Sequence, residues 1–358
     1  MKKVFCNNWF LFVTIILLVI AAGCTKSPAP DVINYYSGSG GKGDVMSFSF
    51  NETFGGYTVQ NESLGKYDNG SYTVYSNELK GLYKVFAYGS FYYAVELQGQ
   101  AVTGNFPTAS MGNNLSYGIS KHSNALNTNV PGDYIYIHIS NAQVNGSSLN
   151  KEWGILSISA GGSWKKQSYC NDRGSITRLM PDEYTGPLPL VNATDSGTWA
   201  INYINTERLI MAKKNSSDSL TGFPFASDSG AVFIMDLGYN KGLLVGCKVL
   251  QGDKNKLRGN YGYADVRYDG STGGGKYSAS DTSHNINWWR ADSYAKVRNG
   301  VFGLMNQCNV LKNVFYCKNV VIYGDTVDFY TAVSGPYLLE FQFMQNKFRS
   351  YGTGIRLP

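Results

Sequence analysis

Charge is scarce in this sequence. Asp, Glu, Lys and Arg make up only 16% of its 358 residues, which argues against long solvated helices, whose outer faces want Glu, Lys and Ala. Histidine is scarcer: His122, His138 and His284 are the whole supply of imidazole bases. There is no G-x-S-x-G elbow and no H-E-x-x-H, so the usual serine-hydrolase and zinc-protease signatures are missing. No C-x-x-C spacing occurs and the histidines lie far from the cysteines, so no metal site and no cofactor are expected. The formal net charge of +6 is too small and too dispersed for a nucleic-acid partner, which would show as a concentrated basic patch.

Long apolar runs are also missing, with one exception. Lys2 and Lys3 precede an uncharged stretch from Trp9 to Ala22, fourteen residues that end in "AAGC". A bilayer-spanning helix needs about 20 residues, so a cleaved export signal over 1–23 is expected. The residues "IAAGC", Ile20 to Cys24, resemble a bacterial lipobox, with Ala21 where that family usually has leucine. The resemblance implies cleavage before Cys24 and lipidation of Cys24, giving a partner in the membrane. Thr25, where lipoproteins kept in the inner membrane often have aspartate, implies a lipid-anchored location in the outer membrane. An ordinary A-x-A-like cleavage would export the chain as well. Loss of Lys2 and Lys3 lowers the net charge from +6 to +4. Residues 24–42, rich in Ser, Gly, Pro and Lys, read as a flexible tether.

What the chain does have is 41 Gly, 27 Tyr and 18 Phe. Aromatics suit pleated, half-buried surfaces and glycine suits tight turns, so strands are expected. "DYIYIHIS" alternates most cleanly, with Ile135, Ile137 and Ile139 expected toward the core and Tyr134, Tyr136 and His138 on the other face. "YKVFAYGSFYYAVEL" reads as a hairpin turning at Gly89 and Ser90. The one helical candidate is 301–311, where Val301, Leu304, Met305, Cys308 and Leu311 share a helix face. Outside the cytoplasm Cys170, Cys247, Cys308 and Cys317 can form two disulfides in three connectivities, Cys308 and Cys317 being closest in sequence; buried thiols are the alternative.

The chain also repeats itself. "DNGSYTV" at 68–74 matches "DSGTWAI" at 195–201, and "LQG" with "GNF" at 97–106 matches "LQG" with "GNY" at 250–261. The expected fold is all-β: two antiparallel β-sandwich or barrel-like domains made by internal duplication, with at most one short helix. The expected boundaries are 43–160 for the first domain, 161–189 for a linker and 190–358 for the second. A single large sandwich is the alternative. "GTW" at Gly197 to Trp199 resembles the glycine-x-tryptophan that opens the first strand of lipocalin-like barrels, with "GSY" at Gly70 to Tyr72 as its counterpart. That resemblance implies a tryptophan packed across a barrel base.

"DGSTGGGKY", 269–277, nearly spells a phosphate-binding loop, but Tyr277 replaces the hydroxyl residue and no helical pattern follows, so a glycine-rich hairpin or loop is expected. The most site-like segment is "SHNINWWRAD". On a strand Asn285, Asn287 and Trp289 share a face, and two amides beside an indole can hold a sugar. The Tyr134, Tyr136 and His138 face is the second candidate, as a groove or as packing against another sheet. Glu96 reads as a solvated glutamate on an outer strand face. No catalytic residue can be named. The expected function is a cell-surface lipoprotein acting as an extracytoplasmic binding module for a saccharide or a surface protein. The rivals are a glycan hydrolase using paired carboxylates and a structural or assembly component of the outer membrane.

Overall fold

The alternating segments become strands almost without interruption in a computed structural model of the chain. It describes residues 30–75, 80–87, 90–108, 112–122, 129–140, 151–171, 180–183, 186–188, 191–228, 230–250, 256–267, 271–280, 284–290, 296–301, 305–322, 325–344 and 347–358. The expected export signal, Cys24 and residues 25–29 of the expected tether lie outside them, whereas Ile33–Gly40 of that tether is not flexible linker but a strand paired on both sides.

The strands form three meanders. The first comprises β1 (Ile33–Gly40), β2 (Val45–Asn51), β3 (Gly56–Asn61), β4 (Lys66–Val74), β5 (Leu82–Ala87), β6 (Ser90–Leu97), β7 (Ala101–Thr108) and β8 (Gly112–Ser120). It closes into a barrel because β8 returns to β1, with Tyr36 opposite Ser120. The second comprises β9 (Gly132–Ile139), β10 (Glu152–Ile158), β11 (Ser163–Asn171), β12 (Asp195–Ile201), β13 (Leu209–Lys213), β14 (Ser219–Ser227), β15 (Gly230–Asp236) and β16 (Leu243–Lys248). It closes between β9 and β16.

The third comprises β17 (Gly259–Arg267), β18 (Thr272–Ala279), β19 (His284–Arg290), β20 (Lys296–Val301), β21 (Asn306–Gln307), β22 (Val314–Ile322), β23 (Asp325–Ser334), β24 (Tyr337–Met344) and β25 (Lys347–Arg356). Here β17 pairs with β25, and β20 and β21 are the two edges of a nine-stranded sheet. The fold is therefore all-β and barrel-like, as the alternation and composition predict.

Several finer expectations change. The described residues of 301–311 form no helix: Val301 ends β20 and Asn306–Gln307 is β21. Met305, Cys308 and Leu311 are nevertheless buried, because a chain folding back on a sheet can bury one side without helical spacing. The only helical turn among the described residues is a 3-10 turn at Pro181–Glu183. Ala87 pairs with Ser90, so residues 88 and 89, outside the described set, connect that hairpin. Ser163–Asn171, within the stretch expected as a linker, is a full strand of the second barrel. The matched segments 68–74 and 195–201 lie on the fourth strands of the two closed barrels. Gly197–Trp199 therefore does not open a barrel, and the Trp199 indole donates to the Ser159 carbonyl at 3.0 Å. The four cysteines hold thiols and no disulfide joins them. Cys170, Cys247 and Cys308 are buried, and burial pushes the Cys308 thiol up to about 12.

The isoleucines of β9 face a core as expected, but that core lies outside the barrel wall, and the tyrosine face is buried as well. Tyr134 and Tyr136 point into the barrel with Leu156, Trp164 and Phe233. Ile135, Ile137 and Ile139 point outward, into a core shared by all three sheets. That core takes Leu82, Val95 and Ile119 from the first barrel, Trp153, Val232 and Val245 from the second, and Leu339, Phe341 and Ile355 from the third. Apolar side chains on both faces of a strand signal burial on both faces.

An aromatic stack crosses this core. Trp153 lies between Tyr169 at 5.3 Å and Phe341 at 6.4 Å, Phe341 stacks on Tyr330 at 5.0 Å, and Tyr330 stacks on Tyr316 at 6.3 Å. Each such pair contributes about 0.5–1.5 kcal/mol beyond its buried area. The middle glycine of "GGG" allows the third sheet to approach the first barrel closely: a Cβ on Gly274 would lie 2.7 Å from the Tyr93 Cβ. The run lies on β18, and its chemistry is close backbone approach.

Candidate functional site

An eight-stranded barrel is just wide enough to be filled by side chains or to hold one small ligand, and the first barrel is filled by Tyr36, Phe48, Phe50, Tyr57, Tyr72, Tyr83 and Phe106. A buried glutamate interrupts that filling. Glu96, near the end of β6, points inward with Tyr92 and Ala94 and is only 3% exposed. The Tyr36 hydroxyl donates to Glu96 Oε1 at 2.5 Å and the Tyr83 hydroxyl to Oε2 at 2.9 Å. Tyr36 in turn accepts the Gly99 backbone N–H at 3.2 Å. The carboxylate is therefore held by donors that are themselves fixed.

Toward solvent the cluster opens. Asn34, at the start of β1, donates through Nδ2 to Glu96 Oε1 at 3.1 Å and to Glu52 Oε1 at 2.7 Å. The two carboxylate oxygens are thus within about 6 Å, at the close end of the range used by paired carboxylates on sugars. Glu52 is exposed in the β2–β3 turn. The Asn51 side chain shapes that turn by accepting the Thr53 and Phe54 backbone N–H groups. It leaves the Phe54 ring 75% exposed. Tyr72 closes the side by donating to the Asn51 carbonyl at 3.2 Å.

The two acids differ in environment. Burial pushes the Glu96 carboxyl above its ordinary value, and the hydrogen bonds from Tyr36, Tyr83 and Asn34 offset only part of that. Burial, and then the Glu96 charge, push the Tyr36 and Tyr83 hydroxyls up, so both remain donors at any physiological pH. Burial likewise pushes Tyr72 up to about 12. One acid is enclosed and pushed toward its neutral form while the other faces water, and such a difference in environment is what separates acid and base roles.

A second buried carboxylate lies inside the second barrel. Lys166 Nζ donates to Glu152 Oε1 at 2.5 Å, the Tyr136 hydroxyl donates to the same oxygen at 3.2 Å, and His138 Nδ1 is 3.8 Å away. Burial raises the Glu152 carboxyl, but Lys166 and His138 outweigh it and hold the group below its ordinary value. His138 Nε2 donates to the Lys241 carbonyl at 2.6 Å. Tyr134 donates to the Val130 carbonyl. Tyr134, Tyr136 and His138 are all buried, so they form the filling of a barrel and not a groove.

Asn285, Asn287 and Trp289 share β19, opposite Ser278, Lys276 and Gly274 of β18. Asn285 is exposed, while the side chains of Asn287 and Trp289 lie outside the described set. The neighbouring His284 faces inward. It accepts the Tyr277 hydroxyl at Nδ1 at 2.6 Å, and burial lowers it to about 4. The two groups of site residues expected from the sequence thus belong to different sheets and do not make one site.

Sequence reasoning placed Glu96 on a solvated face and passed over Asn34, Tyr36, Glu52 and Tyr83. A signal was present: in "FYYAVEL" Tyr92 and Ala94 alternate with Tyr93 and Val95, so both faces are apolar and a glutamate on either is enclosed. Among the described residues no group of three or more His, Cys, Asp or Glu could hold a metal. Comparison with protein-family models and with curated proteins finds no match to this chain.

Proposed function

We propose that this chain is an exported, lipid-anchored binding module that holds a saccharide at the mouth of its first barrel. The observation that supports this is the graded cluster running from exposed Phe54 through Glu52 and Asn34 to buried Glu96, Tyr36 and Tyr83. Carboxylates and an amide accept and donate to sugar hydroxyls, and an exposed aromatic ring covers the apolar face of a pyranose. Cys24 carries the lipid in this reading, and the location is the outer membrane. In this reading Asn285, exposed on β19, is a second contact for a longer glycan.

Hydrolysis is the second reading, and the Glu52–Glu96 pair favours it: Asn34 bridges the two carboxyl groups, so their oxygens lie within about 6 Å, with enclosed Glu96 as the acid and water-facing Glu52 as its partner. Thermal unfolding of the full chain against a panel of oligosaccharides tests both. A ligand present at a hundredfold excess over its Kd raises stability by about 2.7 kcal/mol. The shift should vanish in Asn34→Ala and shrink in Phe54→Ala. Glu96→Gln should retain binding, and reducing-end release that is present in the wild type and absent in Glu96→Gln would establish hydrolysis. No shift with any glycan would remove the saccharide reading.

A further inference from the structure

The connection between β12 and β13 places two large apolar side chains in water, Tyr203 and Ile204, each 91% exposed. Such exposure usually reflects a loose loop, but here the backbone is tied. The Asn202 side chain accepts the Ile204 and Asn205 N–H groups at 3.0 and 3.3 Å. The Asn202 N–H donates to the Arg208 carbonyl at 2.9 Å, and the Arg208 N–H to the Asn205 carbonyl at 2.9 Å. The Arg208 guanidinium then pins the loop to the first barrel. It donates to both Glu62 oxygens at 2.8 Å and to Ser37 Oγ at 2.7 Å, and it lies 5.5 Å from the Phe223 ring.

We infer that the loop Asn202–Arg208 is a membrane-docking tip whose Tyr203 and Ile204 enter the interfacial region of a lipid bilayer. Three features favour lipid over a protein partner. Tyr203 and Ile204 are adjacent in the chain and each 91% exposed, so almost none of either side chain is sheltered by the rest of the protein. The Asn202, Ile204, Asn205 and Arg208 N–H groups all donate within the loop, which lowers the cost of entering a medium that offers no hydrogen bonds. The acids at its base, Glu62 and Glu207, both face Arg208, at 2.8 and 3.8 Å, so no unpaired carboxylate faces the lipid there.

Tyrosine suits the headgroup level and isoleucine the acyl boundary. Across the Arg208–Glu62 bridge the Glu62–Gly65 turn and the start of β4 add exposed Leu64, Tyr67 and Lys66. Reach supports the same partner, and this one argument rests on the proposed lipid at Cys24: the nine residues from there to Ile33 extend at most about 30 Å. One acyl chain binds weakly, so a second apolar contact adds to the anchor.

The test uses the full chain with an environment-sensitive fluorophore on Ile204→Cys, and separately on Asp218→Cys in the exposed β13–β14 turn. Vesicles of phosphatidylethanolamine with phosphatidylglycerol are added. The emission from position 204 should rise about twofold and be quenched by nitroxide-labelled acyl chains, as expected for interfacial burial. Position 218 should not respond. An unchanged signal at 204 in vesicle-bound chain, or a rise that acyl-chain nitroxides do not quench, overturns the proposal. Flotation of Cys24→Ser tests the lipid anchor separately, since loss of flotation there leaves the label's response at bound protein as an independent reading.

Discussion

His284 shows how far a single buried side chain can affect the whole protein. Burial holds it neutral in the folded state down to about pH 4, and the Tyr277 hydroxyl donates to its Nδ1. The unfolded chain takes up the proton near the ordinary value of 6.5. A depressed histidine therefore costs stability as pH falls from about 6.5 to about 4, by roughly 3 kcal/mol over that window. His284→Asn keeps an acceptor for Tyr277 and cannot titrate. Urea unfolding midpoints should fall less steeply with acid in this variant than in the wild type, and parallel curves would refute the assignment. Glu96 has the opposite sign, because its raised pKa makes ionisation unfavourable as pH climbs through that value.

At the scale of elements, contacts between loops and strand backbones join the sheets. Arg208 and Glu62 join the β12–β13 loop to the β3–β4 turn. Burial raises the Glu62 carboxyl, but Arg208 and Ser47 outweigh it and hold the group low, so the bridge persists until strongly acid pH. Glu62→Ala would leave the guanidinium enclosed with a partial set of partners. The expected loss is about 2–3 kcal/mol, less than for a fully buried pair because Glu62 remains 28% exposed. Denaturant titration measures it, and a change under 0.5 kcal/mol would mean that the bridge is only a surface contact. Gly230 is a second join: a Cβ there would lie 2.2 Å from the Ser334 carbonyl oxygen of the third sheet. Gly230→Ala should lower the thermal midpoint without altering either strand's own pairing.

The whole molecule from Ile33 onward forms one compact unit, and its largest core belongs to no single sheet. That arrangement predicts one calorimetric unfolding transition and not three. Trp153→Ala, at the centre of the stack between the second barrel and the third sheet, should lower that single midpoint by the equivalent of about 3–5 kcal/mol. Separate transitions for the barrels, with only one displaced by the substitution, would show that the shared core does not couple them.

Much of the architecture is legible in the residues themselves. Period-two alternation in "DYIYIHIS" and "YLLEFQFM", abundant tyrosine and phenylalanine, and glycine-rich turns specify strands through local sterics and side-chain shape. These are properties of neighbouring residues, so one sequence suffices to show them. The direction in which a face points is different. Ile135 and Tyr134 are both apolar enough to bury, and only the presence of a third sheet against the barrel wall sends the isoleucines outward and the tyrosines in. The candidate site depends on the same kind of decision. Asn34, Glu52 and Glu96 are separated by up to 62 positions in the chain, and barrel closure between β1 and β8 brings the ends of β1, β2 and β6 to one mouth. Alternation determined that Glu96 would lie on one face of a strand; tertiary closure decided that this face is the inside, because a sheet has no interior until its first and last strands pair.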